Sequence, residues 1–99
     1  MSKFLELING ETPVLVDFYA DWCSPCKMMS PILKEVKDKL GNKIRIVKID
    51  TDEFPVISEK YNVRSIPTMI LFKNGIPTWQ TSGVMYTNQL IENIKYYLN

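Results

Sequence analysis

The chain has 99 residues, 45% of them hydrophobic, which is enough for one compact domain with its own core, so residues 1–99 are read as a single domain. Twelve Lys and Arg against eleven Asp and Glu leave a formal charge of +1, which offers no electrostatic footprint for nucleic acid or an anionic membrane. Histidine is absent, which rules out Ser/His and Cys/His catalytic pairs and every zinc site that needs an imidazole.

In chain order, residues 2–9 place Phe4, Leu5 and Ile8 at helical spacing, and Gly10 ends the pattern. The opening residues lack the apolar stretch and small-residue cleavage site of a signal peptide, and no apolar run approaches membrane-spanning length. A cytoplasmic, reducing location is therefore expected. Residues 14–20 are β-rich and apolar apart from Asp17, which predicts a central strand covered on both faces with one carboxylate left to explain. A helix should begin at about Cys23: Pro25 fits its first turn, Met29, Ile32, Leu33, Val36 and Leu40 recur at helical intervals, and Gly41-Asn42 closes it. Pro31 removes one backbone donor inside that pattern and is expected to bend the helix rather than end it.

Residues 44–49 read as the next strand, followed by an acidic loop and a short helix over 56–61. Strand, helix, strand implies a parallel pair. Residues 68–73 and 77–82 flank Asn74-Gly75, a dipeptide at ease with positive φ, which predicts a tight antiparallel hairpin. Thr87 can cap a final helix in which Leu90, Ile94 and Leu98 form an apolar stripe while Glu92, Lys95 and Asn99 face water. Asp50-Thr51-Asp52-Glu53 mimics the start of a calcium loop, but Pro55 stands where glycine is required and the later ligands fail, leaving a solvated strand-end loop. Met28-Met29 reads as core filler at helical spacing rather than as a soft-metal site.

The chemistry concentrates in Trp22-Cys23-Ser24-Pro25-Cys26-Lys27. Cysteines three apart in a helix have Cα atoms about 5 Å apart, within the range a disulfide tolerates, so a reversible bridge across one turn is sterically natural. Cys23 at the helix start would have its thiolate stabilised by unpaired backbone N–H groups and the positive end of the dipole, making it the nucleophile. Cys26, one turn deeper on the core side, would stay protonated and then attack the mixed disulfide between Cys23 and a substrate. The same spacing also serves as half a zinc site. With no histidine and no third cysteine, zinc would need carboxylates or two chains sharing four thiolates. A purely structural bridge would close too small a loop to constrain much of the unfolded chain.

Val16-Asp17-Phe18-Tyr19-Ala20-Asp21-Trp22-Cys23-Ser24-Pro25-Cys26-Lys27 closely resembles the active-site strand and loop of the thioredoxins. Later landmarks follow in the family's order: Lys48-Ile49-Asp50 with Asp52, Tyr61-Asn62-Val63-Arg64-Ser65-Ile66-Pro67-Thr68, Phe72-Lys73-Asn74-Gly75, and Gly83. The resemblance runs from about Val14 to the C-terminus. It implies an α/β thioredoxin fold, a central mixed four- to five-stranded sheet with helices on both faces. Only sixteen residues precede Asp17, so the N-terminal edge strand is expected to be missing or very short.

By resemblance, Asp17 is the buried carboxylate near the resolving thiol, where desolvation should raise its pKa and fit it to accept the proton of Cys26. Lys48 resembles the lysine near that carboxylate on the adjacent strand, with a plain solvated lysine as the alternative. Pro67 resembles the family's cis-proline packed against the dithiol, although the residues alone favour an ordinary trans bond. Trp22, Ser24, Pro25, Ile66, Pro67 and Gly83 resemble the rim along which an extended substrate segment lies. For Trp22 a core aromatic, and for Gly83 a simple bend, are the alternatives. Ser24 stands where the family most often has glycine, and Tyr19 where it often has tryptophan.

The implied activity is thiol-disulfide exchange that reduces protein disulfides through Cys23 and Cys26. No bound cofactor or metal is implied, and electrons would come from a flavin- and NADPH-dependent thioredoxin reductase-like donor. The partners are that donor and disulfide-containing proteins, and a monomer is expected. A redox-dependent scaffold without turnover, or a disulfide isomerase or oxidant, are the alternatives.

Overall fold

Six residues that suit a pleated backbone, Val14–Tyr19, form strand β1 in the middle of the sheet, and five of them are buried. The computed structural model describes residues 1–98, so Asn99, expected above to face water, lies outside the described residues. β1 runs parallel to β2 (Arg45–Asp50) and antiparallel to β3 (Thr68–Lys73), and β3 pairs with β4 (Ile76–Ser82). The order β2-β1-β3-β4 makes a mixed four-stranded sheet. Helix α2 (Ser24–Leu40) connects the parallel pair, as a crossover must, and runs unbroken past Pro31. Pro77 sits on outer strand β4 next to a register shift, where a missing N–H costs the ladder little.

Side chains alternate across the sheet and so divide the core in two. Leu15, Met69 and Leu71 face α2 and α4 (Thr87–Tyr96), meeting Met29, Leu33, Val36, Leu90 and Ile94. Val14, Val16, Phe18, Ile70 and Phe72 face the other way, towards α1 (Ser2–Ile8) and α3 (Pro55–Lys60). Helices therefore cover both faces, as the fold class requires.

Among the described residues no strand precedes β1, and α1 is tied down by other means. The backbone N–H of Asn74 donates to the Gly10 carbonyl at 2.9 Å and that of Gly75 to the Ile8 carbonyl at 3.1 Å. Phe4 meets Tyr61 and Phe72 with ring centroids 5.8 and 6.0 Å apart. The hairpin turn thus serves as the anchor of the N-terminal helix. Asn74 and Gly75 have φ of 53° and 78°, the paired positive values of a tight hairpin. A Cβ at Gly75 would meet only Asn9 Oδ1, at 3.8 Å, so the cost of a side chain there is in backbone conformation. Gly75→Ala is expected to destabilise the chain by about 1 kcal/mol, read as a lower denaturant midpoint at unchanged slope.

The sequence misplaces several details. β2 starts one residue later and ends one later than the apolar run suggests, because buried Ile44 belongs to the preceding turn and gives its carbonyl to Lys37 Nζ at 2.7 Å. Thr87 is the first helical residue of α4 and Tyr86 is its cap, with no capping side chain. Ile91 is buried, whereas Leu98 lies past the helix end and only partly against the core. Leu5 is 40% exposed and Met28 48%, so neither fills the core.

Candidate active site

β1 delivers the chain to the edge of the core, and residues 20–23 turn it into α2. Cys23 is the N-cap residue, with extended backbone and with Sγ accepting a hydrogen bond from the Cys26 backbone N–H at 3.2 Å. The cysteine takes the place that a serine or aspartate side chain usually fills, satisfying one of the orphan donors of the first turn. Cys23 and Cys26 are joined by a disulfide with Cα atoms 5.3 Å apart. Sulfurs joined at the start of a helix and backed by Ala20 and Ile66 form a small cluster separate from the two main cores.

The expected difference in depth between the two thiols is not present in the bonded state, where Cys23 is 3% and Cys26 4% exposed. They differ in what they line. Cys23 borders an open groove of about 450 Å³ with Trp22, Ser24, Pro25, Arg64 and Ile66. Cys26 borders a smaller hollow of about 140 Å³ with Tyr19, Asp21, Ser30 and Lys48. Cys23 is the extended N-cap residue before the helix and Cys26 lies within its first turn, and the two border different spaces.

Trp22 is 71% exposed, which removes the core-aromatic alternative. Its indole N–H donates to Asp52 Oδ2 at 2.9 Å, and Asp52 is set by a turn in which Asp50 Oδ1 accepts from the backbone N–H of Asp52 at 2.9 Å. The acidic loop is thus a side-chain-stabilised turn that positions a carboxylate against the indole. Across the groove, Thr68 Oγ1 donates to the Ser65 carbonyl at 2.6 Å, fixing the loop before β3. The Ile66–Pro67 peptide bond is cis. Pro67 is buried behind the groove lining rather than in it, and its carbonyl accepts from the Gly83 N–H at 2.8 Å. Gly83 has a φ of 88° and reaches the site through this bond, not by bordering the groove.

Asp17 lies opposite Lys48 on β2 and Met69 on β3. Alternation puts it on the side of Leu15, the face that packs against α2. It is fully buried, and neither carboxylate oxygen has a hydrogen-bond partner among the described residues. Burial raises its pKa from 3.8 to about 6, against the pull of the Lys48 ammonium. Lys48 itself is exposed, donating to Ser30 Oγ at 3.3 Å with its ammonium 4.7 Å from the Tyr19 ring centroid. It is an exposed lysine whose ammonium is close enough to act on the Asp17 carboxyl. Among the described residues no group of three or more His, Cys, Asp or Glu side chains is placed to hold a metal ion.

Sequence reasoning passed over Arg64, Asp52, Tyr19 and Ser30 as site residues. Arg64 sits within the quoted stretch before Pro67, and its place in that loop was the one available signal. Asp52 meets Trp22 across a separation of 30 residues, which no local pattern announces.

A sheet of order β2-β1-β3-β4, a disulfide whose first cysteine caps a helix, and a cis bond after Ile66, which packs against that disulfide, invite comparison with known proteins. Residues 1–96 match the family model described as Thioredoxin. The chain is 52% identical over 95 residues to thioredoxin Y, chloroplastic, of Oryza sativa subsp. japonica, covering 95% of this chain and 56% of that protein. It is 46% identical to a thioredoxin-like protein of Synechocystis sp., covering 98% of this chain and 93% of that one. The chain thus spans about half the length of the rice relative and nearly all of the cyanobacterial one. Among solved structures, a variant thioredoxin from Halobacterium salinarum NRC-1 superposes with a TM-score of 0.91 at 30% identity, covering 100% of this chain and 86% of the other. Oxidised mitochondrial thioredoxin 3 of Saccharomyces cerevisiae gives 0.86 at 36% identity, over 96% and 88% of the two chains. Fold, dithiol and sequence agree over nearly the whole length, and the chain belongs to the thioredoxin family.

Proposed function

We propose that residues 1–99 act as one domain and reduce protein disulfides by cycling Cys23 and Cys26 between dithiol and disulfide. The observation that carries this reading is the Cys23–Cys26 bridge at the start of α2, with Cys23 on an open groove. In the reduced chain the Cys23 thiolate attacks one sulfur of a client disulfide, forming a mixed disulfide and expelling the other client sulfur as a thiolate. Asp17 takes the proton of Cys26, whose thiolate attacks Cys23 Sγ, restores the bridge and releases the second client sulfur. Two electrons pass to the client, which gains two protons from solvent and the site. The chain is left oxidised.

Trp22, Ser24, Pro25 and Ile66 form the wall on which an extended client segment lies, while Pro67 and Gly83 hold that wall in place from behind. Lys48 lowers the cost of charge on Asp17. A flavin- and NADPH-dependent reductase is the electron donor of this cycle, and the chain acts as a monomer. The cycle needs a reducing compartment, such as the cytoplasm. Relatives named chloroplastic extend the choice to other reducing compartments. No helix among the described residues is long and apolar enough to cross a membrane.

The test is reduction of a protein disulfide by catalytic amounts of the chain with dithiothreitol as electron source. Turnover well above that of dithiothreitol alone is expected. Fully reduced chain that adds nothing to the background would leave only a binding module, and a redox titration against glutathione separates a reductant from an isomerase or oxidant.

A further inference from the structure

Among the described residues Arg64 is the one charged side chain that lines the Cys23 groove. The rest of the lining is apolar or neutral and offers an extended peptide no means of telling one charge from another. The loop that carries Arg64 is well determined by local bonds. Asn62 adopts a φ of 57° with its N–H donating to the Glu59 carbonyl at 3.1 Å, and the Val63 N–H donates to the Ser58 carbonyl at 2.9 Å. Arg64 Nε then donates to Asn62 Oδ1 at 2.8 Å. With Nε occupied, the two terminal nitrogens remain as a planar pair of donors, the pattern that matches a carboxylate.

Because client chains are assigned to this groove, we propose that Arg64 is a specificity residue that favours disulfides flanked by a carboxylate, in acidic peptide segments. The exchange chemistry is unchanged, and Arg64 moves neither protons nor electrons. Two neighbouring acids set the size of the effect. Glu59 lines the adjoining hollow together with Arg64, and Asp52 is held by Trp22 at the groove's other border. Both repel an incoming carboxylate, so the preference is that of an exposed ion pair rather than a buried one.

The test uses three peptide disulfides that differ only in bearing Glu, Gln or Lys beside the cysteine, reduced by the full chain with dithiothreitol. The wild-type kcat/KM is expected to favour Glu over Lys by about fivefold at low ionic strength, a ratio that collapses towards one at about 0.5 M salt. Arg64→Gln should remove the preference and Arg64→Lys retain part of it. The ratio is taken within each protein, so a uniform loss of activity or stability cancels. A wild-type ratio near one, or a preference that persists in Arg64→Gln, overturns the assignment of Arg64. Failure to reduce even the Gln peptide faster than dithiothreitol alone overturns the client site itself, a visibly different result.

Discussion

Cys23→Ser is expected to lower disulfide reduction by at least about a thousandfold, to the rate of the chemical reductant alone. A serine hydroxyl is not ionised near neutral pH, and oxygen cannot take up a client sulfur in an exchange that must later be undone by another thiol. Cys26→Ser should behave differently, because attack by Cys23 survives while release does not. That variant is expected to accumulate covalent adducts with disulfide-containing proteins, visible as mass shifts that dithiothreitol removes. The asymmetry follows from the separate surroundings of the two residues, Cys23 on the large groove and Cys26 on the hollow beside Lys48. The opposite pattern, with Cys23→Ser trapping clients and Cys26→Ser idle, would reverse the roles.

Much of this architecture is written locally. The apolar run of residues 14–19, the helical recurrence from Met29 to Leu40 and the Asn74-Gly75 turn each carry a period or a backbone preference that a short window contains. Those elements were legible within a residue or two. The Cys23 and Cys26 pairing was legible for the same reason, since one helical turn fixes the separation. What a window cannot contain is the meeting of distant segments. Trp22 with Asp52, and Arg64 with the groove, depend on the sheet bringing three loops to one end. The residues alone would have made the Ile66–Pro67 bond trans, and only the ordered family landmarks pointed to cis. The two cysteines' near-equal burial was also illegible, because it depends on how the residues around Ala20 and Ile66 pack over the bridge, which no local pattern contains.

Asp17→Asn is expected to stabilise the chain at pH 8 and to slow its release of clients. The folded pKa of about 6 lies above the ordinary 3.8 because burial favours the neutral acid. Between those values the folded chain therefore holds more protons than the unfolded one, so stability falls as pH rises through the window and stays lower above it. A shift of about two units corresponds to about 3 kcal/mol forfeited at pH 8. Asparagine cannot ionise and should recover much of that, while at pH 3.5, where most of the aspartate is neutral folded or unfolded, the gain should shrink towards zero. Denaturant midpoints of both proteins at the two pH values check this, and an equal difference at both would contradict a buried ionising group at residue 17. The kinetic half of the expectation runs the other way. Without a base for the Cys26 proton, decay of the mixed disulfide near neutral pH should slow by at least about tenfold and regain speed as rising pH ionises the thiol directly. A carboxylate with no hydrogen-bond partner among the described residues weakens the fold at the pH where the exchange must run. Its place on the α2 face of the central strand makes sense if the proton it takes is worth more than the stability it forfeits.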